Sequence, residues 1–308
     1  LSEVCPVNTR QFKLRGAAAD RSAMPPIRLC LALALLAVPP TWAQEAPKDL
    51  RQRLAEKLEK DPALQVRNPA PAKAGTAKAA PKGAKAHWGY AGEGAPDRWG
   101  ELGPENRLCA IGTRQTPIDI RDTLKVDLEP IQFEYRASSF SVIDTGHSIQ
   151  VNVEPGNFLS LGQRRYELQQ FHFHKPGEER INGRGYELSA HLVHKDDAGR
   201  LAVLALLMER GSDQAQVQQV LNHLPLEKHE ASVGSAPMEL AQLLPAERGY
   251  YTFMGSLTTP PCSENVLWLV MRQPLTVGAQ QLGIFAKLYP MNARPVQPAG
   301  GRIVKESL

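Results

Sequence analysis

The stretch Phe171-His172-Phe173-His174 constrains this chain more than any other. Side chains alternate faces along a β-strand, so on a strand His172 and His174 share one face, with Cα atoms about 6.6 Å apart. Phe171 and Phe173 then point the other way, into a core. A third imidazole from a neighbouring strand completes a three-nitrogen face, the ligand set of an open catalytic zinc site with a free position for water. Leu188-Ser189-Ala190-His191-Leu192-Val193-His194 holds the candidate. His191 shares its face with Ser189 and Val193, whereas His194 takes the opposite one. His191 therefore joins the pair only if the two strands are adjacent and antiparallel, and residues 175 through 187 are ample for the return. His194 then reads as a satisfied core histidine. Taken alone, the His-x-His pair fits a polar, solvent-facing strand equally well.

The rest of the chain sets the fold class. Gln150–Val153, Tyr166–His174, Leu188–His194, Leu201–Met208 and Val266–Met271 read as extended, separated by turn signals such as Pro155-Gly156-Asn157 and Asp197-Ala198-Gly199-Arg200. Leu201–Met208 is apolar without alternation, as suits a central strand covered on both faces. Helical pattern is confined mainly to Asp213–Leu224 and Ala279–Leu288. The expectation is a single mainly β domain with short helices (α+β) over residues 87–308, built on a large, mostly antiparallel twisted central sheet. That domain carries 21 Lys+Arg against 25 Asp+Glu, a net charge of −4, so no nucleic-acid-binding face is expected.

The positive balance of the chain lies upstream. Met24-Pro25-Pro26-Ile27-Arg28, the ten-residue apolar run Leu29–Val38 and the small-x-small Thr41-Trp42-Ala43 read as an export signal over 24–43, too short to span a bilayer. Residues 1–23 read as sequence ahead of a start at Met24. Residues 44–86 read as a tether, with one short helical stripe at Leu50, Leu54 and Leu58 before an Ala/Pro/Lys-rich spacer. The expected location is periplasmic or secreted, with a Gram-negative-type signal and no stable membrane insertion after cleavage. Cleavage leaves only Cys109 and Cys262, which in an oxidising compartment most simply form one disulfide, two separate buried thiols being the alternative.

His172, His174, Glu178 and Gly185 also fit a His-x-His-x3-Glu-x6-Gly pattern that resembles the first metal motif of cupins. Tyr166 stands where that motif needs glycine, and no proline precedes His191 between Gly185 and Ala190. A longer series fits better. His87-Trp88-Gly89-Tyr90, Gln115-Thr116-Pro117-Ile118-Asp119-Ile120, Thr145-Gly146-His147-Ser148, Gln170–His174, Ala190–His194, Gly255–Pro261 and Asn292–Pro298 follow in order. Together they resemble the alpha-class carbonic anhydrases of the bacterial, exported kind.

The resemblance implies reversible hydration of carbon dioxide to bicarbonate, with Zn2+ held by His172, His174 and His191. It implies Thr258 and Glu178 as a relay that aims the nucleophile and His147 as proton shuttle, with Tyr90 ordering the connecting waters. Val193, Val203, Leu257, Val266 and Trp268, with Thr259, would wall the substrate pocket. Gln170 and the backbone carbonyl of Asn292 would fix the rings of His172 and His174. It also pairs Cys109 with Cys262. The departure is Ser189, where many relatives carry a glutamate that orients the third histidine; Glu187 lies too far away, about 13 Å along the strand. Ser189, or a water it holds, is expected to serve instead, with weaker zinc retention as the consequence. The partner is a small molecule, with a homodimer as a possible assembly. The rival readings are a catalytically silent binding module of the same fold and a cupin-type metal oxygenase.

Overall fold

Period-two burial marks Phe140–Asp144 and much of Arg164–His174 in the computed structural model, which describes residues 87–308. The expected leader, tether and upstream segment lie outside the described residues. Along Arg164–His174, Tyr166, Leu168, Phe171 and Phe173 are buried on one side. Each apolar side chain so covered stabilises the fold by about 1.5–3 kcal/mol. Leu201–Arg210 is instead buried at every position from Ala202 to Met208, as its unbroken apolar run predicted.

Among the described residues one sheet of 13 strands dominates. Its main path runs Ala231–Val233, Phe140–Asp144, Ile149–Val153, Arg164–His174, Leu188–Lys195, Leu201–Arg210, Glu264–Met271, Tyr250–Ser256, Lys305–Ser307 and Leu124–Val126. Most neighbours are antiparallel. Leu201–Arg210 nevertheless pairs in parallel with Glu264–Met271 and Leu275–Val277, and Lys305–Ser307 with Leu124–Val126. The sheet is therefore mixed, because the chain makes a long excursion after Arg210 before returning to that strand's edge.

The two faces bury two different cores. One carries Phe171, Phe173, Leu192, Leu204 and Leu206 against the helices Ala215–Asn222 and Ala279–Leu288. The Gln214 side chain caps the first of these by accepting from the Val217 amide. The other face carries Val203, Val266, Trp268 and Phe253, with Val193 and Leu257 against them. A third, small cluster holds Trp99 with Cys109 and Cys262, bordered by Trp88 and Tyr90.

The expected hairpin lies at 196–200. Asp196 accepts from the amides of Ala198 and Arg200, and Gly199 takes the left-handed conformation at φ 77°. The helices at 215–222 and 279–288 fall inside or on their expected ranges.

Candidate metal centre

Register brings the histidines together. Leu188–Lys195 and Arg164–His174 are antiparallel, with His191 directly opposite His172 and Ser189 opposite His174. Ring centroids of the three imidazoles lie 4.6–5.7 Å apart, and one nitrogen from each falls within 4.8 Å of the others. His194 faces the other way. Its Nε2 meets the Tyr135 hydroxyl at 2.5 Å and its Nδ1 the Leu192 carbonyl at 2.9 Å, so it is a satisfied core group.

Each site ring has a partner. Gln170 Oε1 accepts from His172 Nδ1 at 2.9 Å, and the Asn292 carbonyl accepts from His174 Nδ1 at 2.8 Å. Both rings then present Nε2 to the shared space, and His174 Nε2 is buried without a protein partner. His191 is reversed: its Nε2 lies 2.9 Å from Glu179 Oε1, leaving Nδ1 toward the other rings. Burial, reinforced by His191 nearby, pushes His172 down to about 3 and His174 well below its ordinary value. Neutral imidazole is the form that binds metal. Burial also pulls on His191, but the Glu179 charge and contact, then Glu178, leave it raised. Three nitrogen donors, those of His174 and His191 buried and the His174 one orphaned, beside two buried carboxylates suit a divalent cation such as zinc.

The remaining expected residues surround this floor. Glu178 Oε1 accepts from the Arg294 amide at 2.7 Å. Burial raises the Glu178 carboxyl to about 7, against the opposing pull of His191 and a Thr258 hydrogen bond. Trp268 packs edge-on against His191 at 5.0 Å and anchors its indole on the Ser256 carbonyl. The Thr259 carbonyl accepts from the Cys262 amide, closing the turn after Thr258. Tyr90 borders Trp88 and Trp99, and His147 stacks on Trp88 at 3.7 Å. Cys109 and Cys262 form the disulfide.

Asn292 does more than offer its carbonyl. Its side chain accepts from the Lys175 amide and donates to the carbonyls of His147 and Phe173, clamping three segments of the site. The Ser189 hydroxyl accepts from the Glu178 amide at 3.3 Å. The carboxylate beside His191 is Glu179, which sequence reasoning passed over. The only signal available was the doublet Glu178-Glu179 itself, and which of the two turns toward a strand depends on the loop path.

The family model described as eukaryotic-type carbonic anhydrase matches residues 94–308. A carbonic anhydrase of Pectobacterium carotovorum is 42% identical over 219 residues, covering 71% of this chain and 90% of that protein. One of Neisseria gonorrhoeae is 40% identical over 230 residues, covering 74% and 91%. Among solved structures, the alpha-carbonic anhydrase of Thermovibrio ammonificans in complex with sulfanilamide superposes with a TM-score of 0.70 at 39% identity. It covers 71% of this chain and 99% of its own.

Proposed function

The chain belongs to the eukaryotic-type, or alpha, carbonic anhydrase family, and from that premise we propose that His172, His174 and His191 hold the zinc with which it works. The enzyme hydrates carbon dioxide reversibly to bicarbonate and a proton. The observation that carries the site assignment is the convergence of three imidazoles, two of them buried, each with its outward nitrogen beside a polar partner. Zinc bound there supplies Lewis acidity, so that water ionises near neutral pH.

The protein's own groups do the rest. A hydroxyl has one proton; Thr258 spends its proton on Glu178 and keeps only acceptor capacity toward the site. A hydroxide nucleophile would then direct its one hydrogen to Thr258 and a lone pair to the substrate carbon, the proton lost in forming it being the one that must leave the site. Carbon dioxide is apolar and needs a dry wall more than hydrogen bonds. Val193, Val203, Leu257, Val266 and Trp268, gathered in one apolar cluster, supply it, with Thr259 at the rim. The released proton passes through water ordered near Tyr90 to the His147 imidazole, and from there to buffer. All three histidines are present, which speaks against a silent module, and the family match speaks against a cupin-type oxygenase.

Export fits the same picture. The apolar run Leu29–Val38 and the Cys109–Cys262 bridge support a periplasmic or secreted enzyme. No helix among the described residues is long and apolar enough to cross a membrane.

Elemental analysis with stopped-flow carbon dioxide hydration tests the assignment. Wild type is expected to carry one zinc per chain and His191→Ala to lose both metal and activity. A wild-type protein without zinc, or hydration no faster than buffer, would overturn it.

A further inference from the structure

We propose that Glu179 is the positioning residue for His191: its loop carboxylate holds the imidazole Nε2 and so turns Nδ1 toward the metal. The inference rests on the zinc assignment above and adds a residue to it.

Geometry carries it. Glu179 Oε1 lies 2.9 Å from His191 Nε2, an ion-pair distance rather than a well-aligned hydrogen bond, and neither atom has another hydrogen-bond partner. Both side chains are almost wholly buried. His172 and His174 are held at Nδ1 by neutral oxygens of Gln170 and Asn292, whereas His191 is held at the other nitrogen and by a carboxylate. Such a partner fixes the tautomer and ring angle and makes the imidazole a better donor. A buried carboxylate with no hydrogen bond is costly alone. Its retention is understandable only if the group it faces becomes more positive, as an imidazole does on binding a cation.

The loop that carries Glu179 has little freedom. Gly177 donates its amide to the Tyr186 carbonyl at 3.0 Å, and a Cβ there would meet the Leu188 carbonyl oxygen at 3.1 Å, a tight fit that glycine avoids. The Glu178 amide sits on Ser189 Oγ at 3.3 Å, and the Arg180 amide on the Ile118 carbonyl at 3.2 Å. Ser189 shares the face of His191 two residues away, and its hydroxyl, by accepting from the Glu178 amide, ties the loop to that strand. A loop carboxylate with a small strand residue thus replaces a strand carboxylate.

The test is zinc release to excess chromophoric chelator, followed optically, for wild type, Glu179→Gln, Glu179→Ala, and Glu179→Ala combined with Ser189→Glu. Thermal unfolding of each metal-free protein serves as the folding control. Both single variants should release zinc about 10- to 100-fold faster than wild type. The double variant, with a carboxylate returned from the strand, should recover most of that loss. Singles within twofold of wild type would overturn the inference, and so would fast release that the double variant fails to slow, since that marks a merely structural role. Wild type that binds no zinc would instead overturn the site assignment, so the two failures are distinguishable.

Discussion

His147 lies between aromatic faces, 3.7 Å from Trp88 and 5.1 Å from His87 between ring centroids. Burial, then the nearby His87, His229 and Lys228, hold its pKa below the ordinary value of 6.5. A depressed imidazole is neutral at pH 7 and free to take a proton; it stops accepting only as the pH falls through its own lowered pKa. The acid limb of kcat is therefore expected below pH 6.5. Trp88→Ala, which exposes the ring, should move that limb upward in a stopped-flow pH profile. His147→Ala should lower kcat by about tenfold or more in dilute buffer, with recovery on adding an imidazole buffer. A rate indifferent to both buffer and substitution would refute the shuttle role. The motif around this histidine is what suggested the role, whereas its stack on Trp88 joins residues 59 positions apart and carries no local signature.

The segment that carries Thr258 is held at both ends. Leu257 donates to the Ser263 carbonyl, Cys262 to the Thr259 carbonyl, and Gln115 reaches the Cys262 carbonyl. Ahead of it, Ser256 and Thr116 exchange two backbone-to-hydroxyl hydrogen bonds of 2.7 and 3.0 Å. The Cys109–Cys262 disulfide spans 153 residues and ties this segment to the Trp99 cluster. Closing a loop of that length stabilises by about 5 kcal/mol in the chain-entropy account. The Cys109→Ser, Cys262→Ser protein should lose several kcal/mol in urea unfolding and lose kcat more than KM, because Thr258 is less well placed. Unchanged unfolding and activity would show that the bridge and the segment are uncoupled. Element boundaries were largely visible: the strands at 164–174, 188–195 and 201–210 extend the expected ones by one or two residues at an end. The parallel neighbour of Leu201–Arg210 was not visible, since strand order depends on how an intervening excursion packs.

For the molecule as a whole, acid is the condition to watch. Burial pushes His194 down to about 3, although hydrogen bonds to the Leu192 and Ala202 backbone oppose the shift. The unfolded chain takes up this proton near pH 6.5, whereas the folded chain resists until about 3. Stability is therefore intact above pH 6.5 and falls as the pH drops toward 3, by up to about 1.4 kcal/mol per unit for each such group. His194→Gln should show a shallower fall of Tm between pH 7 and 4 than wild type; equal slopes would remove His194 from the account.

Alternation along a strand is local geometry, so the residues alone determined that His172 and His174 share a face, that His191 and His194 take opposite faces of their own strand, and that Leu201–Met208 is covered on both sides. Seven ordered motifs determined the family. Which carboxylate reaches His191 was decided only by tertiary structure. That choice depends on Gly177 lying close to the Leu188 carbonyl and on Ser189 accepting from the Glu178 amide, which together set the loop against the strand. Contacts of that kind arise from close packing between segments, and no periodicity within either segment encodes them.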